Sequence, residues 1–306
     1  MPIVTPRFVD NAWRRGCDFV VLDLEDSVPR NLKAHARTLV KDAIPNVNKG
    51  GTEAFVRINH EYMEADTEAA VQPGLKRIKY PKTETADEVR ALDGLITRLE
   101  KERGIAPGSI EIDTGIETAL AVTNIYEIAS ASPRIQEFGA SNGGYDMSRD
   151  LGVEMFVPYD QFVYIKGEAQ LAARALGKGV RATPFVANTS GSVSDGNRAL
   201  RLAEAARACG LRIGGGGLNP AVVESHNKGY TPGADDISEA HWVLEQFERL
   251  QASGEPWLEA EGRVIDHYEA ARARETLQWA ESCAARDREK AEAVALAQVS
   301  IVADNK

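Results

Sequence analysis

Cysteine and histidine are scarce in this chain, and their spacing excludes the common thiol-based and imidazole-based sites. The three cysteines, Cys17, Cys209 and Cys283, are an odd number at wide intervals, so we expect neither a disulfide framework nor a zinc ribbon. The five histidines contain no i, i+4 pair and no other zinc-type spacing. A reducing compartment, the cytoplasm, is the expected location.

Basic charge and long apolar runs are also missing. The formal net charge of −10 argues against a nucleic-acid partner, because neutralising phosphates requires clustered lysine and arginine. No segment approaches the roughly 20 apolar residues of a membrane span, and the N-terminus has no apolar core of signal-peptide length. We therefore expect a small-molecule substrate, with neither nucleic acid nor a membrane as partner.

Short β-rich runs alternate with longer amphipathic stretches along most of the chain. This alternation predicts parallel strands with helical crossovers, and the fold class expected is an α/β (β/α)₈ TIM barrel. Seven runs are clear, and the eighth, PIVT at 2–5, is short, so that a barrel without it would be incomplete at its N-terminal edge. The seven are DFVVLDLED (18–26), AFVRIN (54–59), KRIKYPK (76–82), IEIDTG (110–115), IQEFGA (135–140), GVRATPF (179–185) and LRIGGG (211–216).

The length of 306 residues leaves room for an appendage after the barrel. We expect a catalytic barrel domain over 1–232 and a C-terminal helical extension over 233–306, placed to cap a neighbouring subunit. Helices are predicted between the strands, and Asp195 is the expected N-cap of one of them. The predicted helices are 31–44, 84–103, 118–131, 159–177, 195–209, 236–252 and 266–296.

Two acidic residues follow successive predicted strands. Glu117 comes after IEIDTG, and Asp146 follows IQEFGA within the segment FGASNGGYDMSRDLG. The C-terminal ends of barrel strands form the catalytic rim, so the two side chains are expected to meet there. A hard divalent ion held by two protein carboxylates keeps positions open for an oxygen-rich substrate. The pair therefore predicts a catalytic Mg²⁺ site.

Three further acids end the first clear strand in LDLEDSV. Alternation along a strand sends neighbours to opposite faces, so Asp23, Glu25 and Asp26 cannot all face one ion. For Asp23 we favour a structural role, as a helix cap or in an ion pair with Lys33 or Arg37. Glu25 and Asp26 are better placed to hold waters bound to the metal.

Two basic residues at the ends of the next strands are candidates for substrate binding. Arg57 lies in the β-rich run FVRIN, where a guanidinium needs an anionic partner. It either pairs with an acid of the barrel or binds a substrate oxygen and stabilises enolate charge, and its place on the rim favours the second role. Lys82 in YPKTE is assigned to substrate binding or ion pairing. A Schiff-base role for a lysine here is disfavoured because the metal pair already supplies an electron sink.

The glycine-rich turn GGGGLNP at 214–220 permits two interpretations. Its backbone N–H groups could cradle a phosphate, with Asn219 and Pro220 starting a helix. A tight turn that closes the barrel explains the glycines equally well.

The motifs DLEDSVPRNLKAHAR, VRIN, YPKTE, IETA and FG…YD…DLG occur in an order that resembles the HpcH/HpaI aldolase and citrate lyase β-subunit family. The resemblance spans most of residues 7–275 and is strongest to the CitE-like and malyl-CoA lyase branch. It implies that Glu117 and Asp146 are magnesium ligands, that Arg57 binds substrate, and that Glu25 and Asp26 lie near the metal-bound waters.

The resemblance also implies a homo-oligomer, a trimer or a hexamer. In the CoA-lyase branch an aspartate of the C-terminal extension reaches a neighbouring subunit's site, and Asp266 in EGRVIDHYEAARA matches it as a catalytic acid or base. The implied activity is Mg²⁺-dependent cleavage of a 3-hydroxyacyl-CoA, such as malyl-CoA or citramalyl-CoA, into a 2-oxo acid and an acyl-CoA.

Two departures keep other substrates open. Family members commonly carry GK…IHP where this chain has GGGGLNP, and the N-terminal strand is shortened to PIVTPRF. A class II aldolase acting on free 4-hydroxy-2-oxo acids is one alternative. The other is a citrate lyase β-like subunit that acts on a carrier-protein thioester. A scaffold or regulatory subunit without activity is disfavoured because Glu117, Asp146 and Arg57 are all present.

Overall fold

The structure is a computed structural model of the chain, and it describes residues 1–140, 145–155, 157–182, 192–211 and 219–304. Over these ranges the fold is α/β, as the alternation of strand and helix patterns predicts. None of the described helices combines the length and apolar composition that crossing a membrane requires.

Six described strands form one parallel sheet in chain order, β1-β2-β3-β4-β5-β6. Neighbouring strands are joined by helical crossovers, which is the arrangement that parallel pairing requires. The strands are β1 Phe19–Asp23, β2 Glu53–Arg57, β3 Leu75–Tyr80, β4 Glu111–Ile116, β5 Glu137–Ala140 and β6 Gly179–Arg181. An antiparallel hairpin, β7 Leu258–Ala260 and β8 Arg263–Ile265, stands apart from this sheet.

Twelve α-helices occur in the described residues, and several begin and end where local sequence signals predict. Asp195 caps α9 by accepting the Arg198 N–H at 3.0 Å, as predicted. Thr85 and Glu88 form a capping box at the start of α4. The helices are α1 Pro6–Val9, α2 Lys33–Asn48, α3 Met63–Ala70, α4 Ala86–Arg103, α5 Ala119–Thr123, α6 Ile125–Ser130, α7 Tyr145–Leu151, α8 Val163–Leu176, α9 Gly196–Ala208, α10 Val223–Tyr230, α11 Ala234–Ser253 and α12 His267–Asp304.

One predicted helix and one predicted strand differ from the structure, and two further predicted strands extend outside the described residues. The helix predicted over 118–131 is two helices, α5 and α6, because the chain bends at Asn124 with φ −108° and ψ 12°. The PIVT segment makes one isolated parallel bridge, Pro2 to Asp23, and so lies beside β1 without forming a strand. The strand predicted over 179–185 is described only to Arg181, and the predicted strand LRIGGG lies outside the described residues after Leu211.

A continuous hydrophobic core lies between the sheet and its helices. Strand residues such as Leu22, Val56, Ile78 and Ile112 are fully buried, and Phe138 is the largest of the fully buried side chains in the described chain. This core fixes the strands and therefore the positions of the side chains at their carboxyl ends.

The C-terminal segment has a separate small core and is attached to the amino ends of the strands. Ala240, Val243, Ile265 and Ala273 form a hydrophobic cluster between α11, the hairpin and α12. Farther along α12, the guanidinium of Arg286 donates hydrogen bonds to the carbonyls of Asp18 at 3.0 Å and Gly51 at 2.6 Å, just before β1 and β2. The division of the chain at residue 232 stays a prediction.

Candidate functional site

Charged side chains converge at the carboxyl ends of β1 to β4 and at the start of α7. They come from the loop after β1 (Glu25, Asp26), the end of β2 (Arg57), the loop after β3 (Lys82), the end of β4 (Glu117) and the first turn of α7 (Asp146). We call these six residues the acidic mouth. The parallel order of the strands explains the convergence, because successive carboxyl ends meet at the same edge.

Asp23 on the neighbouring strand β1 fixes the orientation of the Arg57 side chain. The two residues are register partners on β2 and β1, and Asp23 accepts hydrogen bonds from Arg57 Nε at 2.8 Å and Nη2 at 2.7 Å. Burial acts to raise the pKa of Asp23, but the Arg57 guanidinium and the Ser27 hydroxyl lower it to about 2. Asp23 therefore remains an anion that fixes the orientation of the arginine fork.

The partners predicted for Asp23 were wrong, although its structural role is as expected. Lys33 Nζ donates instead to the backbone carbonyls of Leu24 at 2.8 Å and Glu25 at 2.6 Å. Arg37 pairs with Asp66 at 2.6 Å. The expected partners, Lys33 and Arg37, belong to the helix that follows β1. The parallel register of β1 and β2 puts Arg57 across from Asp23 instead.

Glu25 is buried and lies between two cations. Its Oε2 is 2.8 Å from Arg57 Nη1, and its Oε1 accepts a hydrogen bond from Lys82 Nζ at 2.7 Å. Burial raises its pKa, while the charges of Arg57 and Lys82 act in the opposite direction. In the described part of the chain Oε2 is buried and accepts no hydrogen bond. Asp26 lies 3.6 Å from Arg57 Nη1 and its side chain is 61% exposed.

Lys82 has an unusual backbone and a side chain that points into the mouth. Its φ of 52° is in the left-handed region, where residues other than glycine are uncommon. Its Nζ lies 2.7 Å from Glu25, 3.6 Å from Asp146 and 3.9 Å from Asp26. Burial acts to lower its pKa, but these carboxylates raise it, so the side chain stays an ammonium.

Glu117 lies over the backbone of Gly115. A Cβ atom at Gly115 would be 2.8 Å from Glu117 Oε1 and 3.0 Å from its Cδ, closer than such atoms can approach. The Glu117 carboxylate also accepts the Lys82 backbone N–H at 3.3 Å. Burial raises the pKa of Glu117, the Lys79 and Lys82 charges lower it, and the nearby Asp146 and Glu25 carboxylates raise it further. The six residues of the acidic mouth are four acids and two bases, so negative charge is in excess around this buried acid.

This excess of negative charge fits a divalent cation. A hard cation between two neighbouring carboxylates stabilises both of them, and Glu117 and Asp146 supply the oxygen donors that Mg²⁺ prefers. The buried Oε2 of Glu25 lies 2.8 Å from Arg57 Nη1 but accepts no hydrogen bond within the described chain, so it is suited to accept one from a metal-bound water. Within the described ranges no three His, Cys, Asp or Glu side chains form a metal-binding group, so an ion here would depend on two protein ligands and water.

A buried ionic network lies beneath the mouth, and it was not predicted from the sequence. Arg181 contacts both Asp113 and Glu137, and Arg77 contacts Glu137. Lys79 Nζ is 3.3 Å from Asp113, and burial lowers its pKa. Charged residues at alternate positions of otherwise apolar strands were the available signal, because they share the inner face of the sheet. The prediction therefore included the residues of the mouth but missed the charged strand residues that lie beneath them.

Asp266 makes its described contacts within its own helix. Its Oδ1 accepts the backbone N–H groups of Tyr268 at 2.9 Å and Glu269 at 3.0 Å, which makes it the N-cap of α12. Its predicted role as a catalytic acid or base stays a prediction.

The glycine-rich turn contributes little to the described site. Residues 214–218 of GGGGLNP lie outside the described residues. Asn219 accepts the Ala221 N–H at 2.9 Å and so starts the helical turn before α10. The helix start predicted at Asn219 and Pro220 is confirmed, and the phosphate-binding role stays a prediction.

The sequence and the fold match known proteins. The family model described as HpcH/HpaI aldolase/citrate lyase matches residues 1–211. Citrate lyase subunit beta of Leuconostoc mesenteroides subsp. cremoris is 31% identical over 283 residues, covering 92% of this chain and 91% of that protein. The L-malyl-CoA/beta-methylmalyl-CoA lyase of Cereibacter sphaeroides is 29% identical over 281 residues, covering 85% of this chain and 86% of that protein.

A solved structure supports the fold class. The protein CitE of Mycobacterium tuberculosis, in a complex with magnesium, acetoacetate and coenzyme A, superimposes with a TM-score of 0.63 at 22% identity, covering 89% of this chain and 95% of that one. This likeness and the six parallel strands confirm the predicted barrel class, while the described strands do not by themselves close a barrel. The chain belongs to the HpcH/HpaI aldolase/citrate lyase family and is an enzyme of the lyase class.

Proposed function

We propose that this protein is a Mg²⁺-dependent carbon–carbon lyase that cleaves a 3-hydroxyacyl-CoA, such as malyl-CoA or citramalyl-CoA, into a 2-oxo acid and an acyl-CoA. The observation that carries the proposal is the meeting of Glu117, Asp146 and Glu25 with the Arg57 fork in one mouth. The similarity to the malyl-CoA lyase of Cereibacter sphaeroides supports the thioester substrate.

Glu117 and Asp146 are the proposed metal ligands, and Glu25 and Asp26 would hold metal-bound waters. When bound, Mg²⁺ would supply positive charge beside the substrate hydroxyl and carboxylate oxygens and so lower the pKa of the hydroxyl. Arg57 presents its Nη1 end to the mouth, since Asp23 occupies Nε and Nη2. That end would bind the oxygen on which negative charge develops.

The proposed reaction breaks the C2–C3 bond of the substrate. The hydroxyl proton passes to water, the C3 carbonyl forms, and the electron pair of the broken bond passes to C2 and the thioester oxygen as an enolate. Protonation of C2 then yields the acyl-CoA. We assign that proton to Asp266 of a neighbouring copy, because the described contacts of Asp266 lie within its own helix. The assignment requires a homo-oligomer, for which a trimer or a hexamer was predicted.

The test is a product screen with and without metal. Purified protein, treated with EDTA and then supplied with Mg²⁺, is incubated with malyl-CoA, citramalyl-CoA and a 4-hydroxy-2-oxo acid, and the products are identified by mass. We expect Mg²⁺-dependent cleavage of a CoA thioester and loss of it in Glu117→Gln. Cleavage of the free acid alone, giving pyruvate and an aldehyde, would assign the protein to the aldolase alternative.

A second candidate substrate is a carrier-protein thioester, as for a citrate lyase β subunit. The observation in its favour is the 31% identity to the citrate lyase subunit beta of Leuconostoc mesenteroides subsp. cremoris, slightly above that to the malyl-CoA lyase. Offering the citryl thioester of an acyl carrier protein beside citramalyl-CoA separates the two candidates. Turnover restricted to the carrier-bound substrate would favour the subunit.

A further inference from the structure

Lys82 lies where a divalent cation and its first waters would be expected. Its ammonium is within 4 Å of three mouth carboxylates, at 2.7 Å from Glu25, 3.6 Å from Asp146 and 3.9 Å from Asp26. Its backbone N–H points to the fourth, with a distance of 3.3 Å to Glu117. One lysine thus contacts every acid that we assign to the metal or to its waters.

The backbone of Lys82 shows that this placement is maintained by its surroundings. A left-handed conformation costs a residue with a Cβ about 1 kcal/mol or more, and in the described chain only Lys82 and Glu261 adopt it outside glycine. The next residue is fixed by the Thr83 N–H, which donates to the Gly115 carbonyl at 3.2 Å, and by the buried Thr83 side chain. The loop therefore holds the Lys82 ammonium over the carboxylates.

We propose that Lys82 is a competing internal cation: its ammonium balances the mouth acids in the metal-free protein, opposes metal binding, and is released from Asp146 toward the substrate carboxylate once the divalent ion is in place. This inference rests on the proposed function, since it takes Glu117 and Asp146 as the metal ligands. It assigns the predicted substrate-binding role of Lys82 to the metal-loaded state.

The proposal and a purely structural role of Lys82 predict opposite changes in metal affinity when the lysine is removed. If Lys82 only orients Glu25 and the loop, its loss disorders the mouth and weakens metal binding. If it competes, its loss removes a positive charge next to a dication, and the repulsion between such charges a few ångströms apart is large enough to change affinity by about tenfold. The direction of the change in metal affinity therefore decides between the two roles.

The experiment measures Mn²⁺ binding to the purified full chain by electron paramagnetic resonance, with no substrate present. Lys82→Met is compared with wild type, because methionine keeps an unbranched side chain and loses the charge. The matched control is Lys76→Met. It removes an ammonium from the amino end of β3, the strand that precedes Lys82, where Lys76 pairs with Glu111 at 2.6 Å. The two lysines are six residues apart, about 20 Å along an extended chain, beyond the Debye length at 0.1 M salt.

We expect the Mn²⁺ dissociation constant of Lys82→Met to fall about tenfold and that of Lys76→Met to stay at the wild-type value. Binding of oxalate to the Mn²⁺-loaded protein should weaken in Lys82→Met, because the carboxylate loses its ammonium partner. An unchanged or raised Mn²⁺ dissociation constant in folded Lys82→Met would overturn the proposal. If that variant does not fold, Lys82→Asn, which tolerates the left-handed backbone, is held to the same criterion.

Wild-type protein and Glu117→Gln separate failure of this inference from failure of the proposed function. Tight Mn²⁺ binding by wild type that is lost in Glu117→Gln supports the metal site and leaves the behaviour of Lys82→Met to decide the inference. Wild-type protein that binds no Mn²⁺, or binds it equally well without Glu117, would overturn both.

Discussion

Arg57 and Asp23 occupy paired register positions on β2 and β1, and their side chains form a bidentate ion pair with distances of 2.8 Å and 2.7 Å. The same Asp23 carboxylate accepts the backbone N–H groups of Glu25 at 2.9 Å and Ser27 at 3.1 Å. One buried acid therefore orients both the arginine fork and the loop that carries Glu25. Its removal should disturb catalysis although it has no assigned contact with substrate.

We predict that Asp23→Asn lowers kcat/KM about 10- to 100-fold, the usual effect of losing a residue that orients a site side chain. The asparagine amide would present an N–H₂ group to one arm of the guanidinium, so the bidentate pair is lost. The matched control is Asp93→Asn, which removes another acid paired with an arginine, Arg134, at 2.6 Å. Steady-state kinetics with Mg²⁺ test this. Equal losses in the two variants would contradict the positioning role.

Asp23 should also contribute to stability in a pH-dependent way. Its folded pKa of about 2 lies below the ordinary value of 3.8, so its stabilising effect is complete above about pH 4 and is lost as the pH falls through 2. The full effect is about 2 kcal/mol. The free energy of unfolding of wild type minus that of Asp23→Asn should be about 1 kcal/mol smaller at pH 3 than at pH 5. Urea titrations measure it, and a difference that grows on acidification would refute this account.

Gly115 is predicted to be essential for the position of Glu117. The Cβ of Gly115→Ala would lie 2.8 Å from Glu117 Oε1 and 3.2 Å from the Pro81 Cα. The carboxylate must move away, and we expect the Mn²⁺ dissociation constant to rise at least about tenfold, the range seen when the supports of a metal ligand are lost.

The control for this substitution is another glycine of the same chain. Gly94 lies in α4, and a Cβ there would meet no atom within 4 Å. Gly94→Ala should leave Mn²⁺ binding unchanged and raise the free energy of unfolding by about 0.5–1 kcal/mol, because alanine favours a helix. Similar metal affinities for the two variants would show that Gly115 does not position the ligand.

Much of the mouth could be predicted because its residues follow apolar runs. Glu117 and Arg57 end β-rich segments, and the carboxyl ends of parallel strands share one edge, so local patterns were sufficient to place them on the rim. The break of the helix over 118–131 at Asn124 could not be predicted in this way. Both α5 and α6 contact α8, and contacts between segments so far apart in the sequence are not visible in a local pattern.

Ion pairs between residues of different strands could not be predicted from local sequence patterns. Asp23 and Arg57 are 34 residues apart, and their contact depends on the register of β1 against β2. The partners of Arg181 likewise come from β4 and β5. The sequence marks such residues only as charged positions in apolar strands, and their partners appear once the strands are aligned.

Asp266 provides the last prediction, that each active site is completed by a second copy of the chain. Asp266→Asn retains an oxygen to cap α12 and removes the acid, so the variant should fold and lose most of its lyase activity. Glu117→Gln should be inactive because it lacks one of the two proposed metal ligands. Equal amounts of the two variants, unfolded and refolded together, should regain activity, because about a quarter of the sites would combine an intact Glu117 with an intact Asp266.

Subunit exchange is checked by mass, with one variant carrying a distinct tag, and the activity of the mixture is compared with that of each variant refolded alone. If Asp266 acted on its own subunit's site, each hybrid would hold one defective residue in every site, and no mixture could exceed its components. Recovered activity in proportion to the hybrid species supports action between subunits. Mixed oligomers without recovered activity would overturn action between subunits and place the acid in its own subunit's site.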